Sequence, residues 1–157
     1  MKRLFLALTL FALPSFANDA SVNQAAPYLS IGAGPLPLPL PSFGIGYRTQ
    51  HNYLGLDLSA KVQPLIIFTI ISERAVATYY PNPNADAQIY LGAGVGLHAT
   101  FNHIWSDKTR FDGLDFSPEF TVGRQYKSKD GHNRTISADL SIVDREPIFT
   151  LNYGYGF

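Results

Sequence analysis

The residues able to carry chemistry are few. The chain holds four histidines and no cysteine. His98 stands out because Asp57, Asp115, Glu119 and Asp139 share its strand parity. A histidine base oriented by a carboxylate and facing a hydroxyl is the constellation of acyl hydrolysis. The hydroxyl candidates are Ser59, Ser117, Ser137 and Ser141, and no local motif singles one out. His103, Asp107 and Asp112 gather near Trp105, but their spacing matches no metal-site pattern, so neither metal nor cofactor is expected. Gly92-Ala-Gly-Val-Gly96 is no phosphate loop, because no helix follows it. Pro35-Leu-Pro-Leu-Pro-Leu-Pro41 favours extended polyproline II geometry. Asn133-Arg-Thr is a glycosylation sequon by letter only.

Composition narrows the class. The chain has 157 residues, and 12 basic side chains balance 12 acidic ones. That balance argues against nucleic acid as the main partner, which would need a basic patch. Apolar residues at 46% and aromatics at 13% argue against long disorder. Charged residues reach only 15%, well short of a usual soluble domain. The lack of cysteine excludes disulfides, thiolate zinc sites, iron–sulfur clusters and a cysteine nucleophile.

Residues 1–17 read as a secretory signal peptide. Lys2 and Arg3 form the positive start, Leu4 to Leu13 the apolar run, and Ser15 and Ala17 the small residues before a cut. The apolar run is too short for a spanning helix. Residues 18–27 are expected to form a short periplasmic segment, and residues 28–157 a single barrel domain.

Beyond the leader the dominant period is two, the signature of half-buried strands. Apolar residues alternate with small or polar ones from Tyr28, Phe43, Tyr53, Gln88, Leu114, Thr135 and Phe149 onward. An eighth, weaker strand falls around Arg74 to Tyr80. The run Leu65 to Ile71 is apolar on both faces; it could extend either neighbouring strand or form a hydrophobic loop. His51-Asn52, Pro81 to Ala87 and Lys127 to Asn133 read as turns. Pro35 to Pro41, Gln63 to Ser72, Asn102 to Asp112 and Asp144 to Pro147 read as loops at the other end. Pro118 sits mid-strand without an N–H, so a bulge or local break is expected there.

The polar face separates a membrane barrel from a soluble one. It is mostly Gly, Ser, Thr and Tyr with single charges, which suits a narrow lumen rather than a watered surface. The apolar face is long enough for a lipid band about 25 Å tall. Tyr47, Tyr126, Tyr153 and Tyr155 gather at strand ends, as interfacial girdles require. A sheet edge in lipid would leave backbone groups unpaired, so the barrel must close. The expected fold is therefore all-β: an eight-stranded antiparallel up-and-down transmembrane β-barrel. Parity places Arg48, Asp57, Lys61, His98, Asp115, Glu119 and Asp139 inside, as a network of ion pairs and hydrogen bonds that fills the lumen.

The last nine residues put Phe149, Leu151, Tyr153, Tyr155 and Phe157 at alternate positions. Here the sequence resembles the small outer-membrane β-barrels of Gram-negative bacteria, the class of the OmpA membrane domain, OmpX and OmpW. The resemblance implies that this terminal strand is the signal read by the barrel-assembly machinery. It also implies contact with outer-membrane lipid, and loops facing a host or neighbouring surface protein. Some barrels of this kind are lipid A deacylases with a His-x-Ser pair facing lipid. Here His98-Ala99-Thr100 keeps the spacing with Thr for Ser, but parity turns both inward.

The reading is an exported outer-membrane protein with a filled interior and a structural or surface-interaction role rather than that of a general porin. A second reading is a lipid-modifying acyl hydrolase or transferase using His98. A third is a soluble periplasmic barrel binding an apolar ligand.

Overall fold

The computed structural model describes residues 23–34, 40–64, 68–102, 110–128, 130–143 and 145–157. They form eight strands: β1 (Asn23–Ala33), β2 (Pro41–His51), β3 (Leu54–Pro64), β4 (Phe68–Tyr79), β5 (Ala87–Asn102), β6 (Arg110–Lys127), β7 (Asn133–Val143) and β8 (Glu146–Gly156). Each pairs antiparallel with its sequence neighbour, and β1 pairs with β8 to close the barrel in the order β1 to β8. No backbone edge is left along a closed wall, which is the condition for crossing lipid with strands.

Side chains sort by parity onto two surfaces. Leu29, Ile31, Phe43, Ile45, Leu56, Ile89, Leu91, Phe120, Val122, Ile136 and Leu151 are all exposed on the outer wall. Ser30, Gln50, Asp57, Ser59, Ser117, Glu119, Thr121, Ser137, Asp139 and Asn152 are buried inside. The arrangement inverts a water-soluble protein, with apolar groups outside and polar groups within. At one end, the turn end, Asn52 adopts φ 51° in the two-residue β2–β3 connection. Gly131 adopts φ 87° in the β6–β7 turn, a backbone conformation that glycine tolerates without steric cost. The Tyr53 and Tyr79 rings stack there at 6.4 Å, and Tyr155 meets Phe157 edge-on at 5.4 Å. These rings form one aromatic girdle, together with Tyr126 at the end of β6.

Several expectations need correction. The run Leu65 to Ile71 is divided: β4 begins at Phe68 and takes in Thr69 to Ile71, while residues 65–67 lie outside the described residues. β1 begins at Asn23, ahead of the Tyr28 boundary read from alternation, because its first residues pair with the end of β2. β5 and β6 extend into the segment read as the loop Asn102 to Asp112. Pro118 does not bulge β6 against β5; it stays in register opposite Val95, and the irregularity falls instead at Thr100/Phe101. The β6–β7 ladder, however, stops at Glu119↔Ser141, beside Pro118. The missing N–H is tolerated where one of the two ladders has already ended.

Two tyrosines lie over glycines in register across a strand pair, Tyr28↔Gly46 and Tyr90↔Gly123. A Cβ at either glycine would stand 2.4 Å from its partner's ring. An aromatic ring covering a strand glycine fills the space that the missing side chain leaves. Gly123→Val should lower stability by about 1–3 kcal/mol through overpacking. Gly154→Val, whose Cβ would meet nothing nearer than 3.6 Å, should cost clearly less; urea unfolding in lipid vesicles compares the two.

Candidate functional site

The lumen is the site, and three polar clusters fill it from the turn end upward. The first centres on Arg48 and Asp57, neighbours across the β2–β3 ladder. Arg48 Nε donates to Asp57 Oδ2 at 2.7 Å, and Nη2 of the same guanidinium bonds that oxygen too. Tyr28 donates its hydroxyl to Asp57 Oδ1 at 2.7 Å. The guanidinium carbon lies 4.5 Å from the Tyr90 ring centre and 5.4 Å from that of Tyr28, so the cation is faced by two π systems. Tyr80 packs on Tyr90 at 5.6 Å. The glycines beneath Tyr28 and Tyr90 are what let both rings lie close enough to flank Arg48.

Asp139 is the hub of the second cluster. Lys61 Nζ reaches it at 2.8 Å, Arg74 Nη1 at 2.5 Å, Asn152 Nδ2 at 2.8 Å and Thr121 Oγ1 at 2.7 Å. Lys61 also donates to Asn152 Oδ1 at 2.9 Å, and Arg74 Nε to Ser59 Oγ at 2.9 Å. In a ring of eight, β3 and β7 stand opposite each other. The Lys61–Asp139 pair therefore bridges the lumen from wall to wall.

His98 organises the third cluster. Its Nδ1 lies 2.9 Å from Ser72 Oγ, and its Nε2 lies 2.7 Å from Ser117 Oγ and 3.2 Å from Glu119 Oε1. Ser117 donates to Glu119 at 2.8 Å. Gly96 makes room for the pair, since a Cβ there would sit 2.5 Å from Glu119 Oε1 and 3.0 Å from His98 Nε2. Above this cluster is a cavity of about 120 Å³ lined by Lys61, Arg74, His98, Asp115, Glu119 and Asp139, among others. Asp115 stands opposite His98 in register and lines the cavity; among the described residues no hydrogen bond or ion pair reaches it.

All seven lumen residues expected from parity thus face inward. They do not form one network but three clusters, with Asp115 beside the third. Ser117 alone of the four hydroxyl candidates contacts His98; Ser59 is taken by Arg74. His98 and Thr100 both face the cavity rather than lipid. Ser72, Arg74, Tyr28 and Asn152 were not singled out as lumen groups. Arg74 shares the inward parity of Val76 and Thr78 within the strand read from Arg74, and Ser72 follows once β4 is extended back to Phe68. On β8, Phe149 and Leu151 are exposed outside, Tyr153 and Tyr155 half-buried, and Phe157 exposed with its N–H on Pro27 O at 3.1 Å. His103, Trp105 and Asp107 lie outside the described residues, as do residues 35–39 of the proline run. Among the described residues no cluster of three or more His, Asp or Glu could hold a metal. Outside the strands, Asp130 accepts from the His132 backbone at 3.2 Å and from Arg134 at 3.1 Å. These contacts, the His132 N–H foremost, hold its carboxyl below the usual range.

Arg48→Met leaves Asp57 buried without its cation and should cost about 3–5 kcal/mol. Combining it with Asp57→Leu should recover most of that loss, because both charges are then gone. Urea titration of the three proteins in lipid distinguishes a needed pair from a needed volume.

No protein-family model matches the chain, and no curated protein sequence matches it. Solved structures do. The N-terminal β-barrel domain of Pseudomonas aeruginosa OprF aligns with a TM-score of 0.63 at 15% identity, covering 86% of this chain and 98% of that one. Neisserial surface protein A aligns at 0.60 and 13% identity over 84% and 92%. The attachment invasion locus protein Ail of Yersinia pestis, in complex with a heparin analogue, aligns at 0.60 and 15% identity over 85% and 97%. The chain has the fold of these small eight-stranded outer-membrane barrels.

Proposed function

We propose that this chain is an integral outer-membrane protein whose lumen is sealed and whose working surface is a projection at the loop end. The observation that carries the reading is the unequal length of the hairpins. β5 and β6 pair from Ala87↔Tyr126 up to Asn102↔Arg110, whereas the β6–β7 ladder ends at Glu119↔Ser141. The outer part of β6 therefore rises beyond β7 with one side free of that ladder, and a free strand side is a template for an added strand. The export leader, the girdle and the apolar wall orient this projection away from the cell. Its partner is a host or neighbouring surface protein, and β8 supplies the assembly signal. The lumen contributes stability and register, since Lys61 of β3 and Arg74 of β4 reach across it to Asp139 of β7.

In planar lipid bilayers the purified protein should show no steps of the size of a general porin; such steps would overturn the sealed lumen. On intact cells, trypsin should cut first at Lys108 or Arg110, and protection of both would overturn the orientation.

A hydrolytic reading has one observation in its favour, the relay Ser72–His98–Glu119 at the floor of the cavity. It requires Ser72 to be labelled by a fluorophosphonate in a manner abolished by His98→Ala. The sealed-barrel reading expects no labelling, and unchanged lipid A and phospholipid composition in the same variant.

A further inference from the structure

Among the described residues, one lumen carboxylate stands at a cavity wall without a partner. The cavity of about 120 Å³ is lined by two cations, Lys61 and Arg74, and by three carboxylates, Asp115, Glu119 and Asp139. Both cations bond Asp139, at 2.8 and 2.5 Å. Glu119 accepts from Ser117 at 2.8 Å and lies 3.2 Å from His98. Asp115 is left over, half-buried, and no hydrogen bond or ion pair among the described residues reaches it. His98 is its register partner on β5, yet the imidazole turns its two nitrogens to Ser72 and Ser117 instead. With His98 counted neutral, the lining carries one negative charge in excess. A carboxylate withdrawn from bulk water is stabilised by a cation that donates hydrogen bonds to it.

The space beside Asp115 is open. Gly113 lies two residues away on the inner face of β6, and a Cβ there would meet nothing within 4 Å. The register partner of Gly113 is Thr100, which lines the same cavity. Towards the loop end the wall turns apolar, through Ile70, Val143 and Ile148. The floor is the Asp139 cluster, so the cavity is blind and its occupancy opens no path through the barrel.

These features select an occupant by chemistry. Among the described residues no group of three or more His, Asp or Glu could hold a metal ion. No aromatic side chain is among the lining residues, so a quaternary ammonium would find no ring face to sit on. Carboxylate and hydroxyl acceptors suit a head that carries several N–H donors. A cavity of about 150 Å³ takes benzene, so this one takes roughly five heavy atoms. We infer that the cavity binds a small primary amine in its ammonium form. The head sits on Asp115 and Thr100, and the aliphatic stem runs along Ile70, Val143 and Ile148. This role is separate from the proposed surface projection and needs only the closed barrel.

The probe is n-butylammonium, titrated calorimetrically into the purified full-length protein in detergent micelles at neutral pH and fixed ionic strength. n-Butanol keeps the stem without the charge, and tetramethylammonium keeps the charge without N–H donors. Butylammonium should bind at least tenfold more tightly than either. Asp115→Asn should weaken it at least tenfold, and so should Gly113→Leu, which fills the open space. Asp130→Asn, which alters an acid outside the lumen, should leave it unchanged. No heat of binding from butylammonium, equal affinity for the three probes, or indifference to Asp115→Asn or Gly113→Leu would each overturn the assignment. Heat-modifiable gel migration checks that each variant is a closed barrel, and two variants at different positions keep the test decisive if one fails to close. A retained migration shift without butylammonium binding sinks the amine site and leaves the barrel reading intact.

Discussion

A ring of eight strands fixes how much room the inward side chains have, and that limit governs the molecule. The bore is just wide enough to be filled by side chains, so a charge inside it cannot keep a water shell. Where the bore is packed, rather than at the open cavity that Asp115 lines, it must reach a partner, and in so narrow a bore the partner can stand on the far wall. Asp139 on β7 does this by receiving Lys61 from β3 and Arg74 from β4. The same shortage of space explains the glycines, because Tyr28 and Tyr90 can flank Arg48 only where the neighbouring strand offers no Cβ.

Much of this was legible because period-two alternation is strong wherever one face is wholly apolar. Arg48, Asp57, Lys61 and Asp139 could be assigned to the lumen from parity alone. β4 was the weak element for a physical reason. Its inner face includes Ile70 and the buried Val76, while its outer face carries Glu73, so the usual contrast is blurred or reversed. Arg74 and Ser72 were missed with it. The pairings across the bore were beyond reach, since they depend on the strand order around the ring rather than on any local spacing. Pro118 shows a sound local rule meeting a tertiary fact: the proline cannot serve a full ladder, and the β7 ladder had already stopped beside it.

The solved barrels share this architecture at 13 to 15% identity. What is common at that level is the alternation and the closure, which lipid imposes on every chain that crosses it with strands. The contents of the bore and the length of each outer hairpin are free to differ. Function on this scaffold therefore has to be argued from those parts and not from the barrel.

Closure itself is uneven. Among the described residues the β1–β8 ladder, from Tyr28↔Gly156 to Ala33↔Leu151, is the shortest of the eight, and it joins the first strand to the last. Every other ladder links consecutive strands, so each can form as a local hairpin. The β1–β8 join has the fewest residue pairs among the described residues and the largest loop-closure entropy to overcome. It is the zip of the cylinder. Until it shuts, the folding chain is a curled sheet with two raw borders, and the apolar wall cannot be handed to lipid without exposing them.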